Sequence, residues 1–220
     1  MDIGASLRYT FDDQKWLEKI AIAAVLILTI IGWLAVLGWM LEILRRVVRG
    51  ETEVLPPWSN LGKYFVDGLI VTVIAFLWSL PIIVLSSCLG AFGGIISGVA
   101  GDDSGAGTMI VLLNLCLAFL TLPYSLAVSF LTPPMMGVYA LQGTFAEAIN
   151  PAKAWRLARA NISGFAVAWL LALVVTVAAA TVGSILCLIG IFPLVAYASA
   201  VSAHLYGQAS REGMASMPAA

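Results

Sequence analysis

KWLEKIAIAAVLILTIIGWLAVLGWMLEILRR, Lys15 to Arg46, has an apolar middle and a basic flank at each end. A segment that crosses a bilayer usually carries its excess of Lys and Arg on one side only. Here Arg8, Lys15 and Lys19 precede the apolar block, and Arg45, Arg46 and Arg49 follow it. Ile20 to Leu41 would span about 33 Å as one helix, enough for a crossing. A re-entrant hairpin turning near Ile31 and Gly32 would keep both basic flanks on one side. Its short arms would reach only to mid-bilayer, and Trp33 would then sit deep. Length favours the crossing and charge favours the hairpin, so both readings stand at this point.

The rest of the chain makes a membrane certain. Of 220 residues, 61% are apolar and 10% charged, and the mean hydropathy is +1.01. A soluble domain carries about 25% charged residues. Lipid satisfies no backbone polar groups, so unbroken apolar runs read as helices, and the expected class is all-α. Net charge is −1, which argues against nucleic acid as a partner. The first ten residues contain Asp2 and Arg8 without an apolar run, so no cleaved leader is expected. Cys88, Cys116 and Cys187 lie in apolar stretches without paired spacing and read as packing residues, not metal ligands.

Four apolar blocks emerge: Ile20 to Leu41, Leu69 to Ala100, Met109 to Leu141, and Phe165 to Tyr206. Basic loops, Glu42 to Gly68 and Gln142 to Gly164, alternate with a short acidic one that holds Asp102 and Asp103. Positive-inside reasoning places the basic loops and the tail in the cytoplasm and Asp102 outside. The last block is long enough for two passes with a turn near Gly190 and Pro193. The expectation is four transmembrane helices in two hairpins, plus the N-terminal re-entrant hairpin or fifth crossing. Pro81 and Pro123 are expected to kink their helices, and Pro133 with Pro134 to break the third block. Residues 1–208 form one membrane domain, and 209–220 a disordered tail.

Three stretches carry a resemblance: FDDQKWLEKI (Phe11 to Ile20), LGWMLEILRRVVRGETEVLPPWSNLGKYFVDGL (Leu37 to Leu69), and AHLYGQ (Ala203 to Gln208). They resemble an uncharacterised family of bacterial and archaeal membrane proteins, the domain of unknown function 4013. The resemblance implies the polytopic architecture and no chemistry. Members often carry Pro in the middle of the first apolar block, where this chain has only Gly32.

Aromatic and basic residues occur together where cytoplasmic segments enter the membrane: Lys15 and Trp16, Trp58 and Lys63, then Lys153, Trp155, Arg156 and Arg159. Rings at the headgroup boundary with cations beside them suit anionic lipid; the plainer reading is ordinary anchoring. From Pro151 a helix would place Ala154, Trp155, Ala158 and Ile162 on one side. Ser86, Gly90, Gly94 and Gly98 recur every four residues, a face for close helix packing within the chain or against another subunit. Asp67 is expected to pair with Lys63, four residues earlier. Asn114 is the most polar deep residue, and Ser79, Ser86, Ser87, Thr121, Ser125 and Ser129 could line a thin polar path but read more simply as helix–helix hydrogen bonds. His204 is the lone histidine, and no catalytic motif accompanies it. The expected function is a non-catalytic scaffold or accessory subunit of the cytoplasmic membrane, without cofactors. A small-solute channel or transporter is the alternative.

Overall fold

The computed structural model describes residues 2–51, 55–100, 104–186 and 190–217, and among these the chain is helical, with no strand. Asp102, Asp103 and Cys187 lie outside the described residues, as do the surroundings of Gly98. Contacts divide the chain into two compact units: residues 1–74 with 130–220, and residues 75–129.

In the first unit, α1 (Ile3–Arg8) leads to α2 (Trp16–Ile27) and α3 (Ile30–Arg49). The opening stretch therefore folds back on itself. The turn falls at Leu28 and Thr29, slightly before the expected Ile31 and Gly32. Thr29 is the reason: its Oγ1 accepts from the Gly32 N–H at 3.0 Å and caps α3, as threonine does at helix starts. Ile20 and Ala23 of α2 pack in one cluster with Val36, Trp39 and Ile43 of α3. The turn is apolar outside as well, with Ile31 70% exposed beside Val25 and Leu28.

α4 (Leu61–Ala100) and α5 (Ser104–Gln142) run to 40 and 39 residues. Neither Pro81 nor Pro123 ends its helix, and Pro133 with Pro134 do not break α5. Each proline removes one helical hydrogen bond, but Pro133 through Tyr139 are buried, so packing holds the helix through the gap. The expected loop from Glu42 to Gly68 is correspondingly short, since α3 extends to Arg49 and α4 begins at Leu61. α3 and α4 cross closely at two glycines. A Cβ at Gly38 would overlap the Tyr64 carbonyl, and one at Gly68 the Leu34 carbonyl.

Short α6 (Phe145–Ala148) and α7 (Pro151–Ala160) precede α8 (Ile162–Ile185) and α9 (Ile191–Ala215). α8 and α9 are antiparallel: Gly183 abuts Ile191 at one end, and Asn161 Nδ2 donates to the Ala209 carbonyl at the other. Ala196, Ala200 and Ala203 of α9 join the α2–α3 cluster. The tail expected to be disordered from residue 209 is instead helical to Ala215, because Ala209, Ser210 and Gly213 are buried. Among the described residues, three helical segments are long and apolar enough to cross a membrane: Trp58–Ile96, Gly107–Gln142 and Ile162–Ile185.

Candidate functional site

Glu42, Arg45, Lys63 and Asp67 converge where α3 ends and α4 begins. The Arg45 Nη1 lies 2.5 Å from Asp67 Oδ2, and the Tyr139 hydroxyl donates to Asp67 Oδ1 at 3.0 Å. The Arg45 guanidinium also sits 5.5 Å from the Tyr139 ring centre. Both charges are buried, so three helices are tied by one ion pair. Glu42 completes the cluster, 3.5 Å from Arg45 and 2.8 Å from Lys63 Nζ. Asp67 thus pairs across helices with Arg45, and Lys63 with Glu42. The expected Asp67–Lys63 pair gives way because Arg45 reaches the carboxylate with a planar fork that a lysine lacks.

A second tie straps the segment before α4 onto the hairpin. Asp13 Oδ2 accepts from Lys19 Nζ at 2.6 Å and from the Leu55 N–H at 3.3 Å, while Lys19 Nζ donates to the Leu55 carbonyl at 2.6 Å. Pro56 and Pro57 have no N–H to offer, and their carbonyls accept from Trp39 Nε1 at 3.0 Å and the Tyr64 hydroxyl at 2.9 Å. The Trp58 ring stacks 5.1 Å from Trp39, and its Nε1 donates to the Lys19 carbonyl. Burial alone would raise the Asp13 carboxyl. The Lys19 ammonium and the backbone N–H groups of Lys15 and Leu55 outweigh it, so Asp13 stays below the usual carboxylate range. Burial likewise opposes ionisation of Glu42, and Lys63 and Arg45 hold it low.

α1 docks on α9 through a third polar group. Ser6 Oγ lies 2.9 Å from His204 Nδ1, Gln208 Oε1 accepts from the Asp2 N–H at 2.7 Å, and the Tyr9 ring packs 4.2 Å from His204. A serine beside a histidine has the make-up of a nucleophile and its base. Ser6 is fully buried, so here the pair fastens one helix to another.

The proposed interface residues divide by surroundings. Trp58 is held in the aromatic stack, and Trp16 packs against the α2–α3 cluster with Phe11 at 4.9 Å. Lys15 is exposed, and so is Lys63 despite its bond to Glu42. On α7, Ala154, Leu157 and Ala158 turn inward against α8 and α9, so the apolar face serves the protein core. Trp155, Arg156 and Arg159 are exposed together, and Lys153 pairs with Glu147. Trp155 thus belongs to the exposed face, not to the Ala154 and Ala158 side.

In the second unit, a Cβ at Gly90 or Gly94 would meet nothing within 4 Å. The expected packing face is open within the chain, although Gly90 and Gly94 line a groove with Leu113 and Asn114. Ser86 lines an adjoining groove with Asn114, Thr121 and Ser125. Of the serines and threonines expected to bond between helices, Ser79, Ser87, Thr121 and Ser125 bond within their own, donating to carbonyls three or four residues back. Asn114 Nδ2 donates to the Ile110 carbonyl. The Arg45–Asp67–Tyr139 tie was missed as a site. Its signal is Asp67 itself, an acid near the head of a long apolar run, where a charge is costly without a partner.

These features define a helical membrane protein with three candidate spans and an internally tied charged end. The chain belongs to the family described as "Protein of unknown function (DUF4013)", whose model matches residues 21–188. No curated protein and no solved structure matches it.

Proposed function

We propose that this chain is a non-catalytic, multi-pass protein of the cytoplasmic membrane that serves as a scaffold or accessory subunit, with a lipid-interacting cytoplasmic rim. α4, α5, α8 and α9 make four crossings, and α2–α3 re-enters from the cytoplasmic side. The apolar turn at Leu28 to Ile31 supports re-entry, because a turn that reached water would leave Ile31 wetted. One observation carries the scaffold reading. The most apolar windows of the first two candidate spans are only 17% and 0% buried inside the molecule, so these helices offer long faces to lipid or to a partner. The charged groups around the junction of α3 and α4, by contrast, bond to one another and fasten the chain.

The runner-up, a small-solute channel or transporter, draws on the groove that Ser86, Asn114, Thr121 and Ser125 line. Purification from native membranes in mild detergent, with cross-links mapped, separates the two. A stoichiometric membrane protein cross-linked through residues 75–129 supports the scaffold. A homo-oligomer alone that passes solutes when reconstituted refutes it.

A further inference from the structure

A groove of about 310 Å³ opens where α5 ends. Val138, Leu141, Leu157 and Met217 line its apolar part, and Gln142, Lys153 and Arg156 its polar part. The local chain dictates this shape. α5 stops at Gln142, and Gly143 takes a left-handed conformation with φ 67°, a backbone that side chains with a Cβ rarely adopt. The chain then returns as α7, which Asn150 caps by accepting from the Ala152 N–H. Residues 153 and 156 are one helical turn apart and share the groove side of α7.

We propose that this groove binds one anionic phospholipid, with the phosphate on Arg156 and the start of an acyl chain along Leu141 and Met217. The depth fits, because the groove lies at the end of a candidate span, Gly107–Gln142, where headgroups meet hydrocarbon. The charge fits as well. Lys153 is paired with Glu147, whereas Arg156 is exposed and has no ion-pair partner among the described residues. A guanidinium presents two parallel N–H donors to a phosphate. The volume is at the small end for ligand sites, which suits a headgroup and not a whole lipid. Leu141 and Met217 remain 43% and 39% exposed, an apolar exit through which the chains rejoin the bilayer. A free phosphate would leave that apolar half without a partner, so the lipid is the occupant.

The inference rests on the lipid-facing rim proposed above, and the test separates the two. The full chain in a neutral detergent is titrated with phosphatidylglycerol or phosphatidylcholine of equal chain length, and retained lipid is counted by native mass spectrometry. One phosphatidylglycerol is expected to be retained, at least about tenfold more tightly than in Arg156→Gln, since hydrogen bonds to charged groups contribute on that order. Arg159→Gln, on the exposed face of α7, keeps the lipid. Leu141→Gln weakens lipid retention without changing the weak effect of inorganic phosphate. Lipid retention that Arg156→Gln and Arg159→Gln reduce equally overturns the groove and leaves the rim reading standing. Equal retention of both lipids by the parent chain overturns the groove and the rim together. Inorganic phosphate that displaces the lipid at millimolar concentration overturns the lipid as occupant.

Discussion

Replacing Asp67 with alanine strands Arg45. Arg45 is 8% exposed, too enclosed for water to take over from the lost carboxylate. Removing one partner of a buried ion pair costs about 3–5 kcal/mol. Glu42, 3.5 Å from Arg45, still offsets part of the charge, which places the cost near the lower end of that range. The Tyr139 hydroxyl loses its acceptor too, at about 1 kcal/mol. The sum is about 4 kcal/mol, or a fall in Tm of roughly 8–16 °C on the scale of chains this long. The assay is thermal unfolding of the purified full chain in detergent, followed by circular dichroism and by tryptophan fluorescence. A second variant isolates the cause. Arg45→Met with Asp67→Leu removes both charges and fills similar space, and such exchanges are often neutral or stabilising. It is therefore expected to recover more than half of the loss. A shift below about 2 °C for Asp67→Ala would mean that water or Glu42 already serves Arg45. A double variant no better than the single one would assign the loss to packing instead of charge.

Gly94→Leu is expected to leave the unfolding temperature of the isolated chain unchanged, since nothing lies within 4 Å of the added Cβ; only oligomer size or partner retention moves. A large drop in the monomer's Tm would show the face to be packed within the chain. The Asp13 carboxyl is held low by Lys19 and two backbone N–H groups, so its ionised form stabilises the fold. That contribution is present above the unfolded value of about 3.9 and is lost as pH falls further, through the folded value. Asp13→Asn should flatten the acid limb of a stability–pH curve below about pH 4, and an unchanged limb counts against the strap. For topology, a single cysteine at Gln14, which is exposed, should resist an impermeant thiol reagent in intact cells. Ser6 is a poor position for this label because it is buried. Rapid labelling at 14 would restore a full crossing.

Much of the architecture was legible because apolar run length and proline or glycine punctuation act locally. Gly190 and Pro193 do mark the bend between α8 and α9, and the balanced bases around Ile20 to Leu41 do accompany a chain reversal. What was not legible depended on tertiary contacts. Pro133 and Pro134 read as a break in isolation, yet burial on neighbouring helices keeps α5 intact. Ser210 and Gly213 read as a polar tail, yet they are enclosed when α9 extends. The Asp67–Lys63 spacing fits a one-helix pair, and nothing in local sequence announces that Arg45 arrives from another helix. Trp155 was misplaced by about one helical position, because the inward face of α7 is set by α8 and α9 and not by a bilayer.

Three stretches of the chain fasten its helices, and the family match over residues 21–188 contains the middle one. Phe11 to Ile20 contributes Asp13 and Lys19 to the strap. Leu37 to Leu69 contributes Trp39, Glu42, Arg45, Trp58 and Asp67, along with the two glycines that bring α3 against α4. Ala203 to Gln208 contributes His204 and Gln208 to the seat of α1. These are polar or close-fitting contacts, and each fails if one partner changes alone. The long lipid-facing windows obey a looser rule, because many apolar side chains satisfy a bilayer equally well. The family match over residues 21–188 takes in spans and ties alike, and a shared fold accounts for it by itself. It assigns no chemistry to Asp67 or His204. Evidence of function has to come from surfaces that the fold does not need, and the groove at Arg156 and the open faces of residues 75–129 are such surfaces.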